Sequence, residues 1–455
     1  MKSGEKQHRE MTERPVGRLI VSLAGPTVAS MLVSALYNMA DTFFVAKLGT
    51  SATGAVGIVF SLMAIIQAIG FTIGMGTGSN ISRFLGAREQ AKACQYSSSA
   101  LFLGLVLGSV LAVLGLIFVD PMMRLLGATP TILPHARAYA GYILFAAPVM
   151  CGAFILNNIL RGEGKARLAM VGLMTGGLLN CVLDPLFIFT FKLGIAGAAI
   201  ATAISQCVSF TILLSAFLRG RTSCSLSWRR ITGKIGVYLH ILHTGLPSLF
   251  RQGLASIAAV TLNVSAAVYG DAAVAGMTIV TKIFLFVFVV IIGIGQGYQP
   301  VVGYNYGARL FGRVREAFFF TLKLTGVVML VGAALLYVFA PHLVALFISK
   351  DRAVVEIGVT ALRAQALAMP LIPLGVMCNM TFQTVGRSWT ATLLSTMRQG
   401  VFFLPLVLVL PRFIGFLGVQ IAQPLSDCCT FVACLPFIIA FFRSLKNGSA
   451  KISNK

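Results

Sequence analysis

The sequence predicts an all-helical integral membrane protein, with twelve transmembrane helices arranged as two parallel six-helix lobes. Three observations support this fold class: long apolar blocks, basic residues placed mainly on one side of the predicted membrane, and an internal repeat. Hydrophobic residues make up 57% of the 455 residues and charged residues only 11%, whereas a soluble domain carries about a quarter charged residues. Polar linkers of the kind that separate soluble domains are not found.

Twelve apolar blocks are long enough to cross a bilayer. About 20 apolar residues span the hydrocarbon core as a helix, and a helix that is apolar on all sides belongs in lipid or in a packed bundle. The predicted spans are 18–44, 53–79, 95–119, 138–160, 168–190, 195–218, 239–269, 273–300, 317–340, 357–384, 390–411 and 416–442.

Basic residues lie mostly on one side of these spans. The chain has 36 Lys and Arg and 13 Asp and Glu, a net charge of +23. The termini and the even-numbered connections share one side with 24 basic residues, the other side has 7, and 5 lie within spans. The positive-inside rule makes the basic side cytoplasmic. We expect a bacterial inner (plasma) membrane location with both termini cytoplasmic, and this placement argues against nucleic acid as a partner.

The N-terminus and the cysteines suggest neither secretion nor metal binding. The first 15 residues are polar and charged, and the first apolar block is too long for the h-region of a signal peptide. The nine cysteines form no CxxC pair, so neither a disulfide framework nor a zinc site is expected.

The chain repeats itself at an offset of 221 residues. IGMGTGSNISRFLGAR (73–88) aligns without a gap with IGQGYQPVVGYNYGAR (294–309), and GIAGAAIATAIS (194–205) aligns with GFLGVQIAQPLS (415–426). Each repeat holds six spans, an even number, so the two halves are parallel and related by an axis normal to the membrane.

The repeat predicts two lobes with a cleft between them. Rocking of such lobes exposes the cleft to each side in turn, as in secondary transporters, although a duplication that only enlarges a stable bundle is the alternative. A cleft within one chain needs no second copy, so a monomer is expected. The predicted divisions are a cytoplasmic N-terminal segment 1–17, an N-lobe 18–218, a cytoplasmic inter-lobe loop 219–238, a C-lobe 239–442 and a cytoplasmic tail 443–455.

Motifs for nucleotide use and for catalysis are not found. GMGTGS (74–79) follows no strand, so its glycines are better explained by close approach of membrane helices. A GxxxxGK[ST] sequence is absent, so the chain lacks the phosphate-binding loop that an ATP-driven pump would need. With no HExxH, no catalytic pair and no extramembrane domain, we predict that the protein is not an enzyme.

Three acidic residues fall within predicted spans: Asp41, Asp184 and Asp427. A carboxylate inside the bilayer costs at least about 2.5 kcal/mol on insertion scales, so it is expected to have a hydrogen-bond or ionic partner, or a function. Asp184 follows Asn180 by one helical turn. Pro185 lacks an N–H and therefore frees a carbonyl in the preceding turn.

Other polar residues of the first six spans accompany these carboxylates. If the helices of the N-lobe enclose a common interior, this set forms a cation or proton site, because neighbouring carboxylates take up a proton or hold Na+. A buried hydrogen-bond network that fixes helix packing is the structural alternative. The accompanying residues are Tyr37, Asn157, Asn158, Thr202 and Gln206.

The second half differs in its buried charges. Asp427 aligns with Gln206 at the repeat offset and is either a second site or a polar residue of the lumen. Arg251 lies too far from the predicted helix ends to reach an interface easily, so we expect it to face the cleft and bind anionic groups. The basic residues within spans are Arg251, Lys282, Lys323, Arg363 and Arg398.

The sequence resembles the MATE family, the multidrug and toxic compound extrusion transporters, from about residue 15 to 442. The resemblance rests on NMADTFFVAKLGT (38–50), NCVLDPLFIF (180–189), GAAIATAISQ (197–206) and the repeated GxG…GAR segments. Among bacterial branches it is most similar to MepA-like multidrug exporters.

The resemblance implies an antiporter that exports hydrophobic, mostly cationic compounds by alternating access in exchange for H+ or Na+. It implies no cofactor beyond that coupling ion. Pro26 already weakens the first helix and is the expected hinge. The family's cation site in the first lobe corresponds to Asp41, Asn180, Asp184 and Thr202, with Tyr37 and Asn157 nearby.

Two points concern a second cation site and an alternative function. One branch of the family also uses acidic residues in the seventh and tenth helices, where this chain has Arg251, Gln252 and Asn379. A lipid-linked precursor flippase of the same superfamily is the alternative function, and Arg251 and Lys282 would then bind a pyrophosphate.

Overall fold

The computed structural model describes residues 3–48, 50–348 and 351–453, and these ranges are helical without a strand. The predicted fold class is confirmed. Eleven helices of the described chain are long and apolar enough to cross a membrane. The remaining predicted span, 239–269, corresponds to a helix of 33 residues, Ile235–Ala267, which is about 50 Å long at 1.5 Å per residue.

The first half of the chain contains a short amphipathic helix and six long helices. The amphipathic helix precedes the first span, and a helix of seven residues lies in the third connection. After Pro185 the fifth span continues as a π-helical turn, Leu186–Thr190. The helices are α1 (Ser3–Glu13), α2 (Val16–Ala46), α3 (Thr50–Gly86), α4 (Gln90–Ile117), α5 (Val119–Leu125), α6 (Leu133–Gly162), α7 (Ala166–Pro185) and α8 (Gly194–Leu218).

The second half contains six spans, two of which are interrupted. The tenth span has a 3-10 turn at Met369–Leu371, which contains Pro370. The eleventh has a π-helical segment at Met397–Phe403, just before Pro405. Proline lacks the N–H that a regular helix needs, so it favours such breaks. The helices are α9 (Ile235–Ala267), α10 (Asp271–Gly307), α11 (Phe311–Ala345), α12 (Arg352–Ala368), α13 (Ile372–Thr384), α14 (Ser388–Thr396), α15 (Leu404–Ile414) and α16 (Phe416–Ser453).

The backbone reproduces the sequence repeat. Helices α3 and α10 both have 37 residues and begin 221 positions apart. Arg88 and Arg309, which follow these helices, both adopt left-handed conformations, with φ of 62° and 59°. Gly164 and Gly386, 222 positions apart, have φ of 80° and 85°. The two halves therefore share turn geometry as well as helix order.

Glycines bring the two lobes into backbone contact at equivalent positions. A Cβ on Gly76 of α3 would lie 2.2 Å from the carbonyl oxygen of Ile241 in α9. Its counterpart Gly297 in α10 would place a Cβ 2.6 Å from the Cα of Ala24 in α2. Since no side chain fits at these distances, the lobes meet where the repeated glycines are.

The same reciprocity occurs about three turns further along each helix. A Cβ on Gly86 would lie 2.2 Å from the carbonyl oxygen of Tyr304, and one on Gly307 would lie 2.1 Å from that of Arg83. Arg83 and Tyr304 are themselves 221 positions apart. These contacts lie at the ends of α3 and α10 that lead into the basic connections, which we call the basic end of the molecule.

Further contacts close the basic end. The carboxylate of Glu163, after α6, accepts hydrogen bonds from the backbone N–H groups of Ser223 (2.7 Å) and Cys224 (3.0 Å) in the inter-lobe segment. Asn305 donates to the Met11 carbonyl of α1 at 3.2 Å. In α10, residues 293–305 are continuously buried, whereas 281–290 are mostly half-buried or exposed. The lobes are thus packed together at the basic end, where α10 is continuously buried.

The glycine contacts predict a position-specific effect within one helix. We expect Gly76→Ala to destabilise the protein by about 1–3 kcal/mol, because the added methyl group overpacks a backbone contact. Gly57→Ala is the matched control, since a Cβ there meets nothing within 4 Å. Thermal unfolding in detergent measures both, and equal melting temperatures for the two variants would contradict this account of the lobe interface.

Candidate cation site and C-lobe cavity

Asp184 is the centre of a buried polar cluster in the N-lobe. Its side chain in α7 is 0% exposed. The side-chain amide of Asn180 donates to Asp184 Oδ1 at 3.1 Å and to Thr202 Oγ1 of α8 at 3.3 Å. The predicted one-turn spacing therefore places Asn180 beside Asp184, and Thr202 joins them from the next helix.

Several oxygen atoms of this cluster have no hydrogen-bond partner in the described part of the chain. Asp41 interacts electrostatically with Asp184, and neither carboxylate forms an ion pair with any described basic side chain. Buried acceptors without a partner are rare and call for a ligand, an ion or water. The unpartnered buried atoms are Asp41 Oδ1, Asn180 Oδ1, Asp184 Oδ2 and Tyr139 OH.

Tyr139 is a member of the cluster that the sequence analysis missed. It belongs to α6, is 0% exposed, and lies next to Asp41 and Asp184. Its hydroxyl faces Thr202 without making a hydrogen bond of normal geometry. A single tyrosine in an apolar span does not indicate that it belongs to a polar cluster. Tyr139 reaches Asp184 only because α6 packs against α8.

Tyr37 joins α2 to the cluster. It lies beside Asp41, which follows it by one turn of the same helix. Gly177 of α7 allows the approach, since a Cβ there would lie 3.1 Å from Cδ1 of Tyr37. The position of α2 relative to α7 is therefore tied to the side chains around the two carboxylates.

Three predicted supporting residues have other surroundings. Asn157 donates to the Ala169 carbonyl at 2.9 Å, and its counterpart Asn379 donates to the Ala391 carbonyl at 2.7 Å, so this repeated bond fixes a helix connection in each lobe. Gln206 is half-buried one turn beyond Thr202, with no recorded contact to either carboxylate.

Asn158 lies at the lobe interface. Its oxygen accepts from Arg161 at 2.5 Å, and a second nitrogen of Arg161 donates to Gln296 of α10. Arg161 in turn interacts electrostatically with Arg251 of α9. Within the described ranges neither arginine forms an ion pair, so this part of the interface is positively charged.

Pro26 lies inside α2, which remains a continuous helix. The preceding Gly25 is exposed, and a Cβ there would meet nothing within 4 Å. The hydroxyl of Ser30 donates to the Pro26 carbonyl at 2.8 Å. The helix therefore has free space and a missing backbone bond at the predicted hinge.

Asp427 pairs with Arg398 inside the C-lobe. Arg398 Nε donates to Asp427 Oδ1 at 2.7 Å, and the amides of Gln365 and Gln423 donate to the same carboxylate at 2.9 and 3.1 Å. Both charges fall within predicted spans, but the sequence alone does not pair them. The pair lines a cavity of about 280 Å³, which Arg251 also lines.

The two lobes can now be compared with known proteins. The profile of the MatE family matches this chain twice, over residues 26–186 and 247–409, and these matches begin 221 residues apart. The chain belongs to the MatE family. The predicted resemblance is therefore confirmed, and each lobe of the MatE protein carries one copy of the family unit.

Relatives and solved structures agree with this assignment. "Multidrug export protein MepA" of Staphylococcus aureus (strain MRSA252) is 27% identical over 89% of each chain. A structure described as the outward-facing conformation of a multidrug resistance MATE family transporter of the MOP superfamily is 30% identical. It covers 96% of this chain and 98% of that chain with a TM-score of 0.91. A MATE structure in the bent conformation is 29% identical, with 99% coverage of both chains and a TM-score of 0.91.

The hydrogen bonds of Asn180 predict a stability effect. We expect Asn180→Ala to lower stability by about 1–3 kcal/mol, because it leaves Asp184 and Thr202 without their shared donor. The exposed Asn263→Ala in α9 is the control and should change little. Thermal unfolding in detergent measures both variants, and a native melting temperature for Asn180→Ala would show that these bonds contribute little.

Proposed function

We propose that this MatE protein exports hydrophobic, mostly cationic compounds in exchange for a cation, either H+ or Na+. The observation that carries the proposal is the pair Asp41 and Asp184, two carboxylates in one lobe without a basic partner among the described residues. Relatives named as multidrug export proteins support the choice of substrates.

The chemistry of the N-lobe cluster explains why a cation is required. Two neighbouring carboxylates in a membrane interior are costly when charged, so a proton, Na+ or an organic cation must offset the charge. Carboxylate, amide and hydroxyl oxygens, such as those of Asn180 and Tyr139, also suit Na+, which like other hard cations prefers oxygen ligands. Export follows if the coupling ion and the compound bind in mutually exclusive ways.

Movement of the lobes would convert this exchange into transport. The N-lobe (18–218) and C-lobe (239–442) rock about the glycine contacts, so that the cleft opens alternately to each side. Neutralising Asp41 changes the hydrogen bonding of α2, and Pro26 lets that helix shift. The membrane potential supplies about 2.3 kcal/mol per charge for each 100 mV.

The charge distribution supports an orientation for this cycle. We place the protein in a bacterial inner membrane as a monomer, with the basic end and both termini in the cytoplasm. In this orientation the lobe contacts of the basic end lie at the cytoplasmic side, and H+ or Na+ would reach the N-lobe cluster from outside.

Ethidium efflux from proteoliposomes with an imposed gradient tests the proposal. We expect the native protein to export ethidium, and Asp41→Asn and Asp184→Asn each to lower gradient-driven export by about tenfold or more, because amides neither release a proton nor hold a charge. Asp271→Asn is the matched control, since this acidic residue is exposed at the start of α10. A pH gradient and a sodium gradient, applied separately, identify the coupling ion.

The results also discriminate among the alternatives. Native-like coupling in both asparagine variants would show that the carboxylates are structural. No ethidium movement by the native protein under either gradient would contradict multidrug export and favour transport of a lipid-linked precursor.

A further inference from the structure

The cavity of the C-lobe holds an ion pair with unused hydrogen-bonding capacity. Arg398 is bound to Asp427 through Nε, but its Nη2 atom has no partner within the described residues. A guanidinium offers five N–H donors in a planar fork. Gln399 Oε1, on the next residue, is likewise buried without a partner, and both residues line the cavity.

Aromatic rings hold this guanidinium in place. The centre of the guanidinium lies 4.8 Å from the ring of Phe288 and 5.9 Å from that of Phe284, and the two rings stack with centroids 5.5 Å apart. Three side chains therefore fix Arg398: Asp427 from one side and two rings from α10. A donor that is fixed before binding suits recognition of a ligand, because little conformational freedom is lost.

The charge of the cavity selects the sign of the ligand. Among its lining residues the charged ones are Arg251, Arg398 and Asp427, a net charge of +1. The N-lobe cluster, with Asp41 and Asp184, has the opposite sign. Arg398 and Asp427 stand at the repeat positions of Gly176 and Gln206, so the N-lobe has no counterpart of this pair.

The size of the cavity limits the ligand further. Its volume is about 280 Å³, and an apolar protein cavity of about 150 Å³ is large enough for benzene. Most of its lining residues are apolar, among them Leu262, Met277 and Phe403. One or two aromatic rings therefore fit beside a single anionic group.

We propose that the C-lobe cavity binds small aromatic carboxylates of one or two rings. The ligand carboxylate accepts from Nη2 of Arg398, Asp427 keeps the Nε side of the same guanidinium, and Arg251 adds positive charge at the cavity wall. The rings occupy the apolar part of the cavity. This site extends the proposed export function to a second, anionic substrate class, and binding to it is measurable without transport.

Binding of three naphthalene probes to the full-length protein in detergent, measured by isothermal titration, tests the site. We expect 2-naphthoate to bind about tenfold or more tightly than 2-naphthylmethanol or 2-naphthylmethylammonium, because a hydrogen bond between two charged groups discriminates by at least that factor. The ethidium assay is separate, so export without naphthoate binding overturns only this inference. Naphthoate binding without export overturns only the proposed function.

Paired variants separate a ligand site from a structural ion pair. We expect Asp427→Asn to tighten 2-naphthoate binding several-fold, because it removes the internal competitor for Arg398. The double change Arg398→Gln with Asp427→Asn leaves no unpaired charge and should weaken binding about tenfold or more. Lys323→Gln, which removes an exposed basic residue of α11, is the control and should bind as the native protein does.

Either of two results would overturn the proposal: equal affinity of the native protein for the three probes, or native naphthoate affinity in the double variant. If the double variant does not fold, Asp427→Asn alone decides, since a gain in affinity requires a folded protein. Unchanged or weaker naphthoate binding by that variant then counts against the site.

Discussion

Backbone contact between the lobes at the repeated glycines is the constraint on which the rest of the structure depends. Gly76 and Gly297 allow α3 and α10 to lie against the backbones of the opposite lobe, and Gly86 and Gly307 repeat this nearer the basic end. Such contacts need no polar side chains, so they leave the interior of each lobe available for charge. They also occur at equivalent positions in the two halves.

Buried charge is distributed differently in the two lobes. The N-lobe holds Asp41 and Asp184 without a basic partner among the described side chains, while the interface and C-lobe hold Arg161, Arg251 and the Arg398–Asp427 pair. Because unpaired buried charge is unfavourable, Asp41 and Asp184 are the buried groups that most need a counterion. Duplication supplied two similar helical frames, and equivalent positions in them carry different polar residues.

The architecture was largely predictable because hydropathy and an internal repeat are strong signals. Eleven of the twelve predicted spans correspond to described helices that are long and apolar enough to cross a membrane. The repeated GxG…GAR segments correspond to equivalent helix ends in the structure. The boundaries were less predictable: α3 continues to Gly86 although its apolar block ends near residue 79, because a helix need not stop at the edge of the hydrocarbon. The breaks at Met369–Leu371 and Met397–Phe403 depend on local packing around prolines.

The candidate site was predictable where its residues share a helix. Asn180 and Asp184 are one turn apart, so their hydrogen bond follows from helical geometry. Tyr139, by contrast, reaches the cluster only through the packing of α6. The pairing of Arg398 with Asp427 likewise depends on contact between the eleventh and twelfth spans. The spacing of residues within one helix does not predict such a contact.

Competition between an organic cation and the coupling ion tests the central claim most directly. Ethidium binding to the purified protein in detergent is measured while pH and sodium concentration are varied separately. The account predicts that lowering the pH or raising Na+ weakens ethidium binding to the native protein, and that Asp41→Asn with Asp184→Asn abolishes this dependence. Ethidium affinity that is unaffected by both ions in the native protein, or an unchanged dependence in the double variant, would contradict it.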